Sequence, residues 1–487
     1  MNKSMTSLSL RLSVVLLAST LGACSLIPTY ERPVAPVEAA WPQAQAASAV
    51  ADAPAMNWQQ YYPDPRLQGL IRQALADNRD MRVAILNIEQ LRAQYRVTRA
   101  DEFPTVNGAA SHSRGTSSYA PYNVGTVASI GLSVPAYELD FFGRVRALTD
   151  VAAAQLLSTE EARKVTQISL ISSVATQYYT VWADRWQLML AERTLKARKG
   201  SLDLSQMKFD SGVLNELDLR SAQSSYETAR ISVEQARRQL DQDLNGLTLL
   251  VGGTVPADLL PPAPMVAEMD SPKDLASQLG DGSLWPVLSA VPVGAPSDVL
   301  LKRPDVAQAE QTLIAANANI GAARAAMFPR ISLTATAGVA SDALSNLFSD
   351  NHNAWSLVPS LSVPIFDMGR TQAGIDSAKV KKDIAVAQYE KTLQSAFREV
   401  ANALVARKTY TDQLDAQQAQ TAAEAARYKL SLLRYDSGVA NQLDLLDAQR
   451  SLFSAQQSLI SAQLSRQLAH VSLYAALGGG WDASGTH

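Results

Sequence analysis

The segment DSGVLNELDLRSAQ at 210–223 returns as DSGVANQLDLLDAQ at 436–449, identical at ten of fourteen positions and 226 residues further on. A chain that repeats at this interval is one structural unit written twice, and its fold must satisfy the same order of elements two times over. Solenoid repeats have periods of about 20 to 50 residues, so this is a duplicated domain-sized unit. The likeness extends well beyond the fourteen residues. NRD at 78–80 answers RPD at 303–305, FPTV at 103–106 answers FPRI at 328–331, and VGG at 251–253 answers LGG at 477–479. LSVP recurs at 132 and 361, and a GR pair at 143 and 369. The copies occupy 66–253 and 303–479, with a linker at 254–302 and a tail at 480–487. Fifteen of the 22 prolines lie in 28–65 and 254–300, so neither stretch is a continuous helix.

The N-terminus reads as an export signal. Lys3 and Arg11 precede a short apolar stretch that ends in LGAC at 21–24, a basic start, an apolar region and small residues before a cleavage point. The pattern resembles a lipobox, which makes 1–23 a signal peptide, Cys24 the lipidated first residue, and 24–65 an extended arm. The bland alternative is that Cys24 is a leftover or buried thiol. It is the only cysteine, so no disulfide forms within the chain. The net charge of −3 is spread along the sequence, and no basic face points to nucleic acid.

Helical patterns cover 66–102, 146–209, 215–250, 304–327, 370–434 and 441–477. Two exceed 60 residues and would each rise roughly 95 Å. Apolar residues recur along them at helical spacing, as at Ile171, Ala175, Tyr178 and Trp182. Leu393, Phe397, Val400 and Leu404 include seven-residue steps, as in coiled coils. Between the helices lie four alternating segments at about 105–114, 128–137, 331–340 and 355–365, forming a hairpin in each copy (about 105–137 and 330–366). Each has about the length of a tilted transmembrane strand. Tyr119, Tyr122, Tyr137, Phe141, Phe348, Trp355 and Phe366 fall near strand ends, where an aromatic girdle would sit. Alternation alone fits a soluble β-domain with one wet face equally well.

Residues beyond the signal contain no 20-residue apolar run, so a membrane-crossing form must be a closed barrel, because an open sheet edge is intolerable in lipid. Four strands cannot close one, since the smallest have about eight. Several chains must share a barrel. An eight-stranded barrel is filled by its own side chains, which favours three or more chains without fixing the number.

The lipobox, the LSVP and GR pairs, both DSGV segments, LDLLDAQRSLFSAQQ at 443–457 and LGGGW at 477–481 together resemble the outer-membrane efflux proteins of the TolC and OprM type, closest to the OprM-like lipoprotein branch. The resemblance implies an α+β membrane protein: a homotrimer whose chains each give four strands to a shared twelve-stranded β-barrel and whose helices form a twelve-helix periplasmic α-barrel. It implies lipid anchoring in the bacterial outer membrane. It also implies a periplasmic adaptor (membrane fusion protein) and an inner-membrane pump of the resistance-nodulation-division class as partners, with drugs and other toxic small molecules as cargo. Channels for metal-ion efflux or type I protein secretion share the architecture. A periplasmic adaptor or scaffold lipoprotein is the rival of another class, but adaptors carry one helical hairpin where this chain carries two sets.

Each copy has a long helix that stops at DSG, with a new helix starting a few residues later. Gly212 and Gly438 suit left-handed caps. Asn215 and Asn441 suit N-caps, with Asp218 and Asp444 in the first turn, where a carboxylate favours the helix dipole. Asp218 and Asp444 thus read equally well as capping residues alone. Asp447 lies one turn beyond Asp444, and its mate in copy one is Ser221; the bland reading is a solvated face. By resemblance, Leu443, Asp444 and Asp447 ring the periplasmic entrance. Asp218 and Tyr435 belong to a latch between helices, with Arg434 nearby and Ala440 where TolC-like proteins place an arginine. Gly212, Val213, Gly438 and Val439 meet the adaptor. Crowded like carboxylates would raise one another's pKa values and attract cations.

No G-x-x-x-x-G-K-[ST] loop is present, so no ATP is used here. The four histidines are scattered and give no metal site. SDN at 349–351 matches one motif of penicillin-recognising enzymes, but no K-T-G occurs and the segment reads as a loop. The sequence therefore predicts no catalytic residues and no cofactor.

Overall fold

The computed structural model describes residues 25–38, 41, 57–116, 124–264, 288, 300–349 and 352–479. Cys24 and the signal peptide, Tyr119, Tyr122, most of the linker, Trp481 and the tail lie outside the described residues. The elements run α1 (Trp58–Tyr61), α2 (Pro65–Asp77), α3 (Arg79–Ala100), β1 (Asn107–Thr116), β2 (Val124–Glu138), α4 (Arg144–Asp210) and α5 (Glu216–Val251). They continue as α6 (Pro304–Ala325), β3 (Arg330–Ser341), β4 (Asn353–Ser362), α7 (Arg370–Asp436) and α8 (Gln442–Ala476). From α3 and from α6 onward the order is the same: helix, two strands, a 67-residue helix, then a shorter helix. The chain divides into two compact units, one around Leu86–Ala162 with Ala307–Thr392, the other around Pro36–Ile85, Arg163–Val306 and Leu393–His487. Each unit draws on both copies, so the sequence repeat is not the packing unit.

The first unit holds one four-stranded antiparallel sheet in the order β1-β2-β3-β4. Register separates an apolar from a polar side through the middle of β2, β3 and β4, while β1 adds His112 and Arg114 to the apolar side. Ile130 pairs with Val339, Leu132 with Ala337 and Val134 with Ala335; Ile331 pairs with Leu361, Ala335 with Leu357 and Ala337 with Trp355. Because side chains alternate along a strand, these make one apolar face. The opposite face carries hydroxyl pairs: Ser111 with Ser129 at 2.8 Å, Ser332 with Ser360 at 2.7 Å and Thr336 with Ser356 at 2.7 Å. Leu132, Trp355, Leu357 and Leu361 are exposed, and an apolar sheet face that nothing among the described residues covers calls for a nonpolar medium or a partner. β1 and β4 are left as open edges. The strands differ from expectation at their ends. β2 starts at Val124 and spans 15 residues, its register shifted between Val134 and Tyr137, where Pro135 has no N–H for the ladder. β4 ends at Ser362, before Pro364. Among the described residues no helix is long and apolar enough to cross a membrane.

In the same unit the arm after Cys24 is tied down. Arg32 forks onto Glu310 at 2.7 and 2.9 Å, and the Tyr30 hydroxyl donates to Glu310 at 3.0 Å. Asn317 donates to the Pro28 carbonyl at 2.7 Å.

The second unit has an aromatic core. Tyr61 stacks on Tyr474 with ring centroids 4.6 Å apart and meets Tyr62 edge-on. Tyr178, Tyr179 and Trp182 of α4 and Leu247 and Val251 of α5 are buried in the same cluster. The sequence predicts one helix over 66–102; the structure breaks it at Asn78, whose backbone is extended at ψ 135°. The Asn78 Oδ1 accepts from the Met81 N–H at 3.0 Å and caps α3, while its Nδ2 donates to the Leu250 carbonyl at 2.9 Å. In copy two Arg303 holds the matching place and donates to the Ala476 carbonyl at 2.5 Å. Leu250 and Ala476 are themselves 226 residues apart, so the duplication survives as a repeated tie between the start of each copy and its last helix.

Candidate functional site: the helix tips and the Asp447 cluster

Both tips are built the same way. Gly212 and Gly438 each have φ 75°, a conformation that costs a residue with a Cβ and suits glycine. The Val213 N–H reaches back to the Lys208 carbonyl and the Val439 N–H to that of Arg434, both at 2.9 Å, while Gly212 and Gly438 bond three residues back. This is a Schellman stop. Asn215 and Asn441 then cap the next helices, accepting from the Asp218 N–H at 2.9 Å and the Asp444 N–H at 2.8 Å. The stop leaves Val213, Leu217, Val439 and Leu443 exposed, each at 70% or more, four apolar side chains on two tips.

The aspartates separate by environment. Asp218 also accepts from the Asn215 Nδ2 at 2.9 Å, which makes it a capping partner. Tyr435 meets Lys208, 3.4 Å from its hydroxyl and 5.1 Å above its ring. Among the described residues the Tyr435 side chain meets Lys208, and Asp218 meets Asn215. Arg434 contributes its carbonyl to the tip turn. Lys208 is the copy-one counterpart of Arg434, so the contact that exists joins the two copies.

Asp447 has the densest charge contacts. It accepts from Arg427 of α7 and from Arg450, both at 2.6 Å, and Arg427 also pairs with Glu424 at 3.1 Å. Hydrogen bonds from Arg427 and then Arg450 hold its carboxyl below the usual 3.8. Crowding of carboxylates would do the reverse; here the chain itself supplies Asp447 with two cations. At the offset of 226, Arg427, Asp447 and Arg450 answer Ser201, Ser221 and Ser224, so the whole ion network belongs to copy two. Sequence reasoning singled out Asp447 but missed Arg427.

A folded pKa below the unfolded one adds stability above the unfolded value that is lost as pH falls through the folded value. The Asp447 bridges should thus be intact at about pH 5 and fail only below 3.8. Hydrogen exchange at residues 442–448 should be insensitive to pH, after correction for intrinsic rates, between about pH 8 and pH 5. Arg427→Ala should speed that exchange with little change in the global melting temperature, because exposed ion pairs contribute little. Unchanged exchange in the variant would remove Arg427 from the account of the tip.

Among the described residues no three of His, Cys, Asp and Glu gather as a metal site.

The family model for outer membrane efflux proteins matches the chain twice, over 70–253 and 295–479. The chain is similar to a probable efflux pump outer membrane protein, TtgC, of Pseudomonas putida. The two are 46% identical over 482 residues, covering 96% of this chain and 95% of that one. It is 41% identical to outer membrane protein OprJ of Pseudomonas aeruginosa, covering 96% of each. Among solved structures, a membrane protein from Pseudomonas aeruginosa superposes with a TM-score of 0.85 at 40% identity, covering 94% of this chain and 98% of that one. The open state of the Neisseria gonorrhoeae MtrE outer membrane channel gives 0.82 at 37%, with the same coverage. The chain belongs to the outer membrane efflux protein family: it is a TolC-like channel of the outer membrane and not an enzyme.

Proposed function

We propose that three copies of this chain close a twelve-stranded barrel and form the exit duct of a tripartite pump for drugs and organic solvents. The open four-stranded sheet, largely apolar on one face and lined with hydroxyls on the other, carries this reading. Its edges β1 and β4 need strands from other chains, its apolar face suits lipid, and its hydroxyl face suits an aqueous lumen. More than two chains are required for an open bore. The cargo class follows relatives described as toluene and antibiotic efflux pump outer membrane proteins. No nucleotide-binding loop occurs, so the driving force comes from an inner-membrane partner, for which a proton-driven resistance-nodulation-division pump is the class proposed.

Leu443, Asp444 and Asp447 form the periplasmic constriction, with three copies of each around the axis. Lys208, Tyr435, Arg434 and Asp218 hold the tips closed. The exposed tip residues around Gly212, Val213, Gly438 and Val439 receive the adaptor, which releases the latch. Cys24 carries the lipid. Asp444→Asn combined with Asp447→Asn should raise single-channel conductance in planar bilayers and reduce the preference for cations. A double variant with unchanged conductance and reversal potential would refute the constriction.

A further inference from the structure

We propose that Arg198 is the cation of a binding site for small organic carboxylates, set in the groove between α4, α5 and α8. Arg198 is only 8% exposed, and its one side-chain bond among the described residues runs from Nη1 to the Gln449 Oε1. No carboxylate lies within ion-pair distance of it among the described residues, and a second cation, Arg450, lines the same groove. A buried guanidinium without a counter-ion is costly, since buried charges are ordinarily paired. The remaining guanidinium donors have the fork geometry that fits a carboxylate.

The adjoining groove has a volume of about 280 Å³ and suits an acid with an apolar body. Ser221, Ser224 and Ser225 line one side, and Leu446 and Phe453 another. Its one acid, Asp447, is already engaged by Arg427 and Arg450 and leaves Arg198 unneutralised. At the offset of 226 Arg198 answers Glu424, which pairs with Arg427. The unpaired cation is thus a copy-one feature that the duplication does not repeat. Leu443 and Asp447 also line the groove, so the site adjoins the proposed constriction, but it rests on the burial of Arg198 and not on that assignment.

The test uses the full-length protein in detergent and 4-fluorobenzoate as probe, followed by fluorine NMR line width against protein-free micelles. Saturable broadening is expected, displaced by unlabelled benzoate and absent for the neutral 4-fluorobenzamide. Arg198→Met should weaken it by about tenfold or more, the loss of a charge-assisted pair. Gln449→Glu supplies a carboxylate from within and should abolish binding in a folded protein, so the result does not depend on the Arg198 variant folding. Absence of saturable broadening, equal binding of the benzamide, or undiminished binding in Gln449→Glu would each overturn the proposal.

Discussion

Gly338→Val should produce a chain with its helical content intact that never reaches the outer membrane as a heat-resistant assembly. Gly338 pairs with Gly131 across β2 and β3, the one joint between the hairpin of copy one and that of copy two. A Cβ at Gly338 would stand 2.2 Å from the Ile130 carbonyl oxygen and 2.6 Å from the Gly131 Cα. Both obstacles are backbone, so no side-chain rotation relieves them, and the strands must part. Overpacking in a well-fitted core costs about 1–3 kcal/mol; a backbone clash inside a ladder exceeds that range, because the hydrogen bonds on either side go with it. The sheet supplies its own control. Gly125 pairs with Gly115 in the β1–β2 ladder, and a Cβ there meets nothing within 4 Å. Gly125→Val should therefore assemble normally. Membrane fractionation with gel mobility of unheated samples reads both variants. Equal assembly would show that the close approach at Gly338 does not matter.

What the sequence discloses depends on how local the cause is. The strands at 331–340 and 355–365 were legible because alternation is a local pattern, and the sheet is apolar on the side that pattern assigns to Ile331, Leu333 and Ala335. The tips were legible because glycine stops and asparagine caps act within five residues. The break at Asn78 was hidden in a continuous helical pattern, since its cause is partly remote: Asn78 holds the Leu250 carbonyl at the far end of its own copy. The repeat offered the clue, because its counterpart precedes Pro304, where a helix start is plain. The partner of Asp447 is also non-local, but Arg427 and Asp447 each lie ten residues from Ser437. Two helices folded back at that turn bring equidistant residues level, so a search mirrored about the tip would have found the pair. Arg198 offers no such signal. Its burial depends on helices from both copies, and nothing in its neighbours along the chain distinguishes it from an exposed arginine.

Arg303→Met should cost on the order of 1–3 kcal/mol, chiefly by leaving the buried Ala476 carbonyl without its donor, because Asp305 and Glu399 are 30% and 46% exposed and water screens the charges left behind. Arg303 is 6% exposed and uses its whole guanidinium. Its Nε and Nη2 take the two Asp305 oxygens at 2.9 and 2.7 Å, Nη2 also takes Glu399 at 2.8 Å, and Nη1 takes the Ala476 carbonyl. Methionine keeps much of the apolar volume but leaves the Asp305 and Glu399 carboxylates facing each other and the last carbonyl of α8 without its donor. Arg303→Lys keeps the charge and loses the fork, so it should recover part of the stability. Arg303→Asn gives copy two the residue that copy one carries at Asn78. Asparagine is too short to reach Glu399, and it restores a cap but not the charge balance. The expected order of thermal stability in detergent is wild type, then lysine, then asparagine, then methionine. A second removal should separate charge from packing. Glu399→Gln in the methionine background relieves one uncompensated carboxylate and should regain stability, whereas in the wild type the same change should lose some. Equal effects in the two backgrounds would mean that Arg303 and Glu399 are not coupled.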